Sequence, residues 1–225
     1  MSLLIFAALV WLGIHFGIAG TRLRDALVAR IGEQPLRGLF SLLSILAIVF
    51  LVRAWSVSDT TPLWSAPDWL RWVLVAVMLP AFLLFVASLS RRNPTMVSGA
   101  PSTVEPPRGM QRVTRHPMLW SFALWAAVHI VGNGDTAAIV FFGTFLVTAL
   151  AGMPSIDTKL AARDPASWQA LSAATSIVPF VAIAQGRNRF VPREIGWPTL
   201  LIGVVAWAVL LYLHPWLFGV APVVL

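Results

Sequence analysis

The chain has no cysteine, a single tyrosine and only 11% charged residues among its 225 positions. The missing thiol excludes disulfides, thiolate metal sites and a cysteine nucleophile, so any metal must be held by histidine nitrogen or by oxygen. Familiar catalytic motifs are missing too. There is no HExxH, GxSxG, P-loop or GxGxxG, and therefore no sequence support for a zinc protease, serine hydrolase, nucleotide hydrolase or dinucleotide enzyme. No low-complexity stretch, fixed-period repeat or long polar linker divides the chain, which is expected to form one domain over residues 1–225.

What is abundant is apolar. Hydrophobic residues make up 58% of the chain and tryptophan occurs 11 times, the composition of an integral membrane protein. Runs long enough to cross a ~30 Å hydrocarbon slab as helices occur at about 2–20, 38–56, 69–91, 117–134, 136–153 and 196–214. The expected fold class is thus all-α, a polytopic membrane bundle of about six transmembrane helices. A further run, LSAATSIVPFVAIA at 171–184, is short and contains Pro179, so it reads as an interfacial or re-entrant segment. The first run follows Met1 without a basic flank and is expected to remain as a helix.

Charge sets the direction. Segments 21–37, 92–116 and 154–195, with Arg91 at a boundary, hold every Lys and Arg except Arg53 and Arg71. By the positive-inside rule that side is cytoplasmic, with both termini in the periplasm of a bacterial inner membrane. The net charge of +7 is thereby explained by topology. No nucleic-acid partner is expected, because the tryptophans lie in or beside the spans and not on a soluble basic face. Trp55, Trp64, Trp69, Trp72 and Trp216 read as interfacial anchors, and membrane lipid is the expected partner. Asp and Glu fall in loops or at span ends, which disfavours an ion carrier with a carboxylate in its path.

None of the four histidines is spent on a polar loop: His15, His116, His129 and His214 all lie inside or at the rim of an apolar run. Intramembrane imidazole is costly unless it bonds a neighbouring helix or a ligand. His15 sits between Gly13 and Gly17, a small-xxx-small pair that admits a second helix or a flat cofactor. His129 shares a helix face with Ser121 and Trp125, which makes either an aromatic packing stripe or the wall of a pocket. His116, before Pro117, opens the same helix and lies about 20 Å from His129, so the two cannot share one metal. With Arg112 and Arg115 it forms a basic rim, suited to anchoring or to an anion such as a propionate, phosphate or carboxylate. His214, in YLHPW, reads as an interfacial residue, with a cofactor role as the alternative.

Several segments together, HFGIAGTRLRD at 15–25, GEQPLRGLFSLLS at 32–44, RVTRHPMLWSFALWAAVH at 112–129, NGD at 133–135 and TSIVPFVAIAQGR at 175–187, resemble the NnrU family of bacterial membrane proteins. That family includes the 15-cis-zeta-carotene isomerases of plants and cyanobacteria. The resemblance implies a b-type haem in the bundle, with His15 and His129 as axial ligands and Trp125 beside the second of them; Arg112, Arg115 and His116 are the candidates for its propionates. It also implies redox-gated chemistry on an apolar small molecule, or a role linked to nitrite and nitric oxide respiration, including that of a non-catalytic partner of respiratory complexes. The isomerases carry a cysteine three residues before the second histidine, where this chain has Ala126. A histidine-for-cysteine exchange is therefore unavailable. Counted from the expected helix ends, the two histidines differ in depth by roughly 11 Å, whereas axial nitrogens stand about 4 Å apart across an iron. A more distant similarity, RHP followed by W-x(10)-PF, is to the isoprenylcysteine methyltransferases and implies S-adenosylmethionine as the alternative cofactor. Leu119 replaces their usual aromatic.

Overall fold

The computed structural model describes residues 1–18, 21–90 and 106–223. Residues 19–20, Arg91 and most of the 92–116 segment lie outside them. The helices are α1 (Ser2–Gly17), α2 (Arg22–Ile31), α3 (Glu33–Ser56), α4 (Asp68–Ser90), α5 (Met110–Val113), α6 (Pro117–Asn133), α7 (Thr136–Arg163), α8 (Pro165–Ala174), α9 (Val181–Ala184) and α10 (Trp197–Phe218). Among the described residues there is no strand, only a single bridge between Pro62 and Asp135.

Six of these helices cover the six apolar runs. By length and composition α3, α4, α7 and α10 can cross a membrane, while α1 and α6 are shorter, at 16 and 17 residues. Two boundaries differ from the sequence reading. Helix α3 starts at Glu33, ahead of its apolar run, and α7 continues through Pro154 to Arg163 instead of stopping near 153. Hydropathy marks only the part of a helix that faces lipid, and backbone bonding carries the helix further; Asp157 thereby becomes a helix residue. The 171–184 run does not span: it divides into the end of α8, a turn at Phe180 (φ 66°) and the short α9.

The packing order follows small residues. Helix α1 lies on α3 and α7, α7 on α6, α6 on α4, and α4 on α10. Ala7, Ala8, Ala54, Ala126, Ala137 and Ala138 bring these backbones close around Leu4, Leu51, Phe141 and Phe142, the usual means of joining helices where lipid removes the hydrophobic incentive. At Gly203 a Cβ would stand 2.7 Å from a Leu83 methyl, so glycine sets the approach of α10 to α4. Large apolar side chains point outward in stripes, such as Leu42, Ile45, Leu46 and Val49 on α3, a surface that only lipid covers favourably. Trp69, Trp72 and Trp216 are exposed as expected for anchors. Trp55 differs: it turns inward and stacks on Phe141 at 4.4 Å, because the alanine-rich face beside it leaves room for an indole.

The α6–α7 corner is built on NGD. Gly134 adopts φ 67°, and a side chain there would collide with the Trp64 backbone. Its carbonyl accepts from the Leu63 and Trp64 amides, and Asp135 caps α7 by accepting from the Ala138 amide at 2.8 Å. The bundle therefore has an NGD end and an opposite basic end, and α6 connects the two.

Candidate functional site

At the basic end, Pro117 at the first position of α6 leaves His116 as its N-cap. The side chain does not form an open rim: His116 is 1% exposed. Its Nε2–H donates to Asp157 Oδ1 at 2.8 Å, and Arg115 forks onto the same carboxylate, with Nη2 2.6 Å from Oδ2. The Arg115 guanidinium also lies 5.2 Å from the Trp168 ring and donates to the Thr175 carbonyl. The two motifs interlock here, since Thr114 Oγ1 and Trp120 Nε1 both donate to the Ile177 carbonyl, and the Phe180 amide donates to that of Val113. Arg112 binds Glu194 through two nitrogens, at 2.7 and 2.9 Å, and Asn188 through a third. With the Gly109 amide, that guanidinium holds the Glu194 carboxyl down to about 2. Any anion arriving at this rim meets guanidiniums that already hold carboxylates of this chain. His116 Nδ1 is buried and takes no hydrogen bond among the described residues. A carboxylate orients a general base in the same way, but at this depth of burial the ring is closed to a substrate, which leaves His116 a structural tie.

His15 and His129 share a different design. Each donates Nδ1–H to the carbonyl one turn earlier, Trp11 at 2.9 Å and Trp125 at 2.7 Å, which leaves Nε2 with its lone pair. That is how a protein orients a metal-binding imidazole. Between them runs a row of rings. His15 stacks on Trp11 at 4.0 Å, Trp11 meets Phe145 at 5.1 Å, Phe145 meets Trp125 at 5.4 Å, and Trp125 lies 5.3 Å from His129. Trp125 is thus a member of this packing, whose other contacts are Phe142 and the Thr148 hydroxyl under the Trp11 N–H.

The row also measures depth. His129 lies against Phe142, Trp11 against Thr148, and His15 a further turn towards the basic end. By helical rise the backbone positions of the two histidines differ in depth by about 15 Å. Each imidazole keeps its Nε2, and the rings of Trp11, Phe145 and Trp125 lie in the row between them. The imidazole nearest to His129 is that of His214, with ring centroids 6.4 Å apart.

The model of the family described as NnrU protein matches residues 3–222. The chain belongs to the NnrU family. Among curated relatives it is 28% identical over 193 residues to the chloroplastic 15-cis-zeta-carotene isomerase of Arabidopsis thaliana, covering 84% of this chain and 50% of that protein. The isomerase of Zea mays is 24% identical over 204 residues, covering 85% and 52%. The chain spans about half the length of the curated relatives it matches. No solved structure matches it. In this NnrU-family chain Ala126 is fully buried, in the core cluster with Leu4, Ala7 and Ala138.

Sequence reasoning missed Asp157. Its signal was a lone acid in SIDTK one turn past Pro154, at the depth where α7 passes the RHP start of α6. Glu194, the partner of Arg112, carried no such signal, because the link between 112 and 194 is a tertiary contact.

Proposed function

We propose that this protein is a membrane-embedded, isomerase-like catalyst acting on a long apolar polyene of the carotene class. The observation that carries the reading is the aromatic row through the bundle, ended by imidazoles whose Nε2 atoms are unshared. The likeness to the two isomerases supports it.

A cis double bond rotates once its π order is lowered by an electrophile or an electron. Between its two imidazoles the row offers no fixed charge, and its ring faces favour positive charge spread along a polyene. Nε2 of either histidine supplies a lone pair to a proton or a metal. The haem that the family resemblance implies enters the proposal only as a group for a free Nε2. Ala126 means that the chemistry proceeds without a thiol.

We further place the six apolar helices across a bacterial cytoplasmic membrane with both termini in the periplasm, a reading that the distribution of basic residues supports. A C-terminal alkaline phosphatase fusion should then be active in intact cells. For the reaction itself, purified protein in liposomes is given 15-cis-zeta-carotene, oxidised or with dithionite, and with or without haemin. Chromatography should show loss of the 15-cis isomer above the protein-free control. No conversion under any of these conditions removes the isomerase reading, and binding of S-adenosylmethionine by the same preparation would redirect it to methyl transfer.

A further inference from the structure

We infer that the exposed rings of Phe180 and Phe190, with Arg189 and Arg193 close by in the chain, form a wedge that inserts into an anionic lipid surface at the basic end of the bundle. The inference stands apart from the isomerase reading, since lipid contact is measured without turnover.

The wedge begins with a conflict in the backbone. Phe180 has φ 66°, the one non-glycine residue in the left-handed region among the described residues. Glycine takes that conformation freely, whereas a bulky side chain is strained there and persists only where its surroundings hold it. They do hold it. The Phe180 amide donates to the Val113 carbonyl at 2.8 Å, and the Phe180 carbonyl accepts from the Ala184 amide at 2.8 Å as α9 begins. The strain does not serve to bury the ring. Phe180 is 53% exposed and meets Phe190, itself 47% exposed, edge-on with centroids 6.1 Å apart. Val178 is exposed as well, so a fixed segment presents an apolar patch outward.

Position decides what covers the patch. The Ile177 carbonyl accepts from Trp120 Nε1 at 2.8 Å, and Trp120 belongs to the first turn of α6. The segment is therefore tied level with the start of an apolar helix of the bundle. Downstream of Arg193 the chain soon reaches Trp197, which is exposed and opens α10, a helix long and apolar enough to span. Both flanks stand where the chain enters lipid, the depth that favours aromatic side chains.

Charge then selects the lipid. Arg112 is committed to Glu194, but Arg189 and Arg193 are exposed and pair with no carboxylate among the described residues. From 175 to 196 the sole acid is Glu194, against Arg187, Arg189 and Arg193. Basic side chains beside inserted apolar ones hold the phosphates of anionic headgroups. A protein partner would have to displace lipid to reach the same rings.

Because the chain has no cysteine, Phe180→Cys and Phe190→Cys each give a single position for a nitroxide label. The labelled full chains are placed in nanodiscs of phosphatidylcholine with or without phosphatidylglycerol. Asp59→Cys, in the exposed loop between α3 and α4, is the aqueous reference. Electron paramagnetic resonance saturation should show oxygen reaching the labels at 180 and 190 more than a water-soluble nickel chelate does, the reverse at 59, and deeper insertion with phosphatidylglycerol. If the labels at 180 and 190 behave like the one at 59, the patch is left to a protein partner and the inference fails. Phe180→Gly removes a ring while relieving the backbone, so helical content and melting temperature should hold as the label at 190 shifts towards water. A label that does not shift overturns the paired wedge. Spin-labelled phosphatidylglycerol competed against phosphatidylcholine tests the charge. A basic residue near an anionic surface contributes about fivefold in association, so Arg189→Gln combined with Arg193→Gln should lower the preference about fivefold or more. An unchanged preference sinks the inference. So does an equal fall from Arg30→Gln combined with Arg163→Gln, which would assign lipid selection to net charge.

Discussion

The two ends of α6 each carry a histidine, yet they solve opposite problems. His116 is sealed in, with Asp157 on one nitrogen, Arg115 on the same carboxylate, and the loop from Thr175 to Phe180 folded over it. His129 is held by one backbone bond and by rings that touch only its faces. Charge explains the contrast. A guanidinium brought out of water needs a fixed carboxylate, so the basic end closes around its ion pair. A neutral imidazole among aromatic rings needs only its Nδ1–H satisfied, so its other nitrogen stays available. The same residue type is a structural tie at one end and a donor at the other.

The strongest way to break this contrast is Asp157→Ala. Removing one partner of a buried pair strands the other charge and typically costs about 3–5 kcal/mol. The variant should fall in yield and melting temperature, and Arg115→Met combined with it should recover part of the loss. A normal melting temperature for Asp157→Ala alone would mean that the basic end is not held by this carboxylate.

Next in size is the same substitution made at both ends. His116→Phe leaves Asp157 one donor short in a buried site, costing about 1–3 kcal/mol. His129→Phe keeps the ring packing and loses a single bond to the Trp125 carbonyl, about 1 kcal/mol. Thermal unfolding followed by size exclusion should rank His116→Phe clearly below His129→Phe. Equal losses would erase the distinction between tie and donor. Gly134→Ala should cost more than either, since a left-handed backbone costs alanine about 1–2 kcal/mol and its Cβ would in addition collide with the Trp64 carbonyl oxygen.

The sequence made the membrane helices legible because apolar runs of bilayer length have no other stable use in a chain of this composition. It located His15, His129 and RHP, but it could not tell that RHP is buried. Burial there depends on Asp157, which sits beyond the apolar run of α7, and on the loop after α8, both remote in sequence. The nearness of His214 to His129 failed to show for the same reason. The spacing within α6 separates His116 from His129, whereas the approach of His214 depends on α4 packing between α6 and α10. Trp55 was misplaced because a tryptophan near a span end is read as an anchor unless the facing alanines are known.

The smallest effect is expected from Glu194→Gln, which separates the rim of the basic end from its sealed centre. The Glu194 carboxyl titrates near 2 in the folded chain, against an ordinary 4.5, first because Arg112 donates to it and next because the Gly109 amide does. A depressed carboxylate contributes stability that is fully present above its unfolded value and is lost as pH falls through its folded value. The contribution should therefore be whole above about pH 4.5 and fade between there and pH 2. The pair is partly open to solvent, so its worth is about 1 kcal/mol or less. Melting temperatures of the parent should accordingly drop more steeply than those of Glu194→Gln as pH is lowered from 5 to 3, and the two curves should approach each other at the acid end. Parallel curves would show that Arg112 is indifferent to its partner, and the firm hold at the basic end would then belong to Asp157 and its neighbours alone.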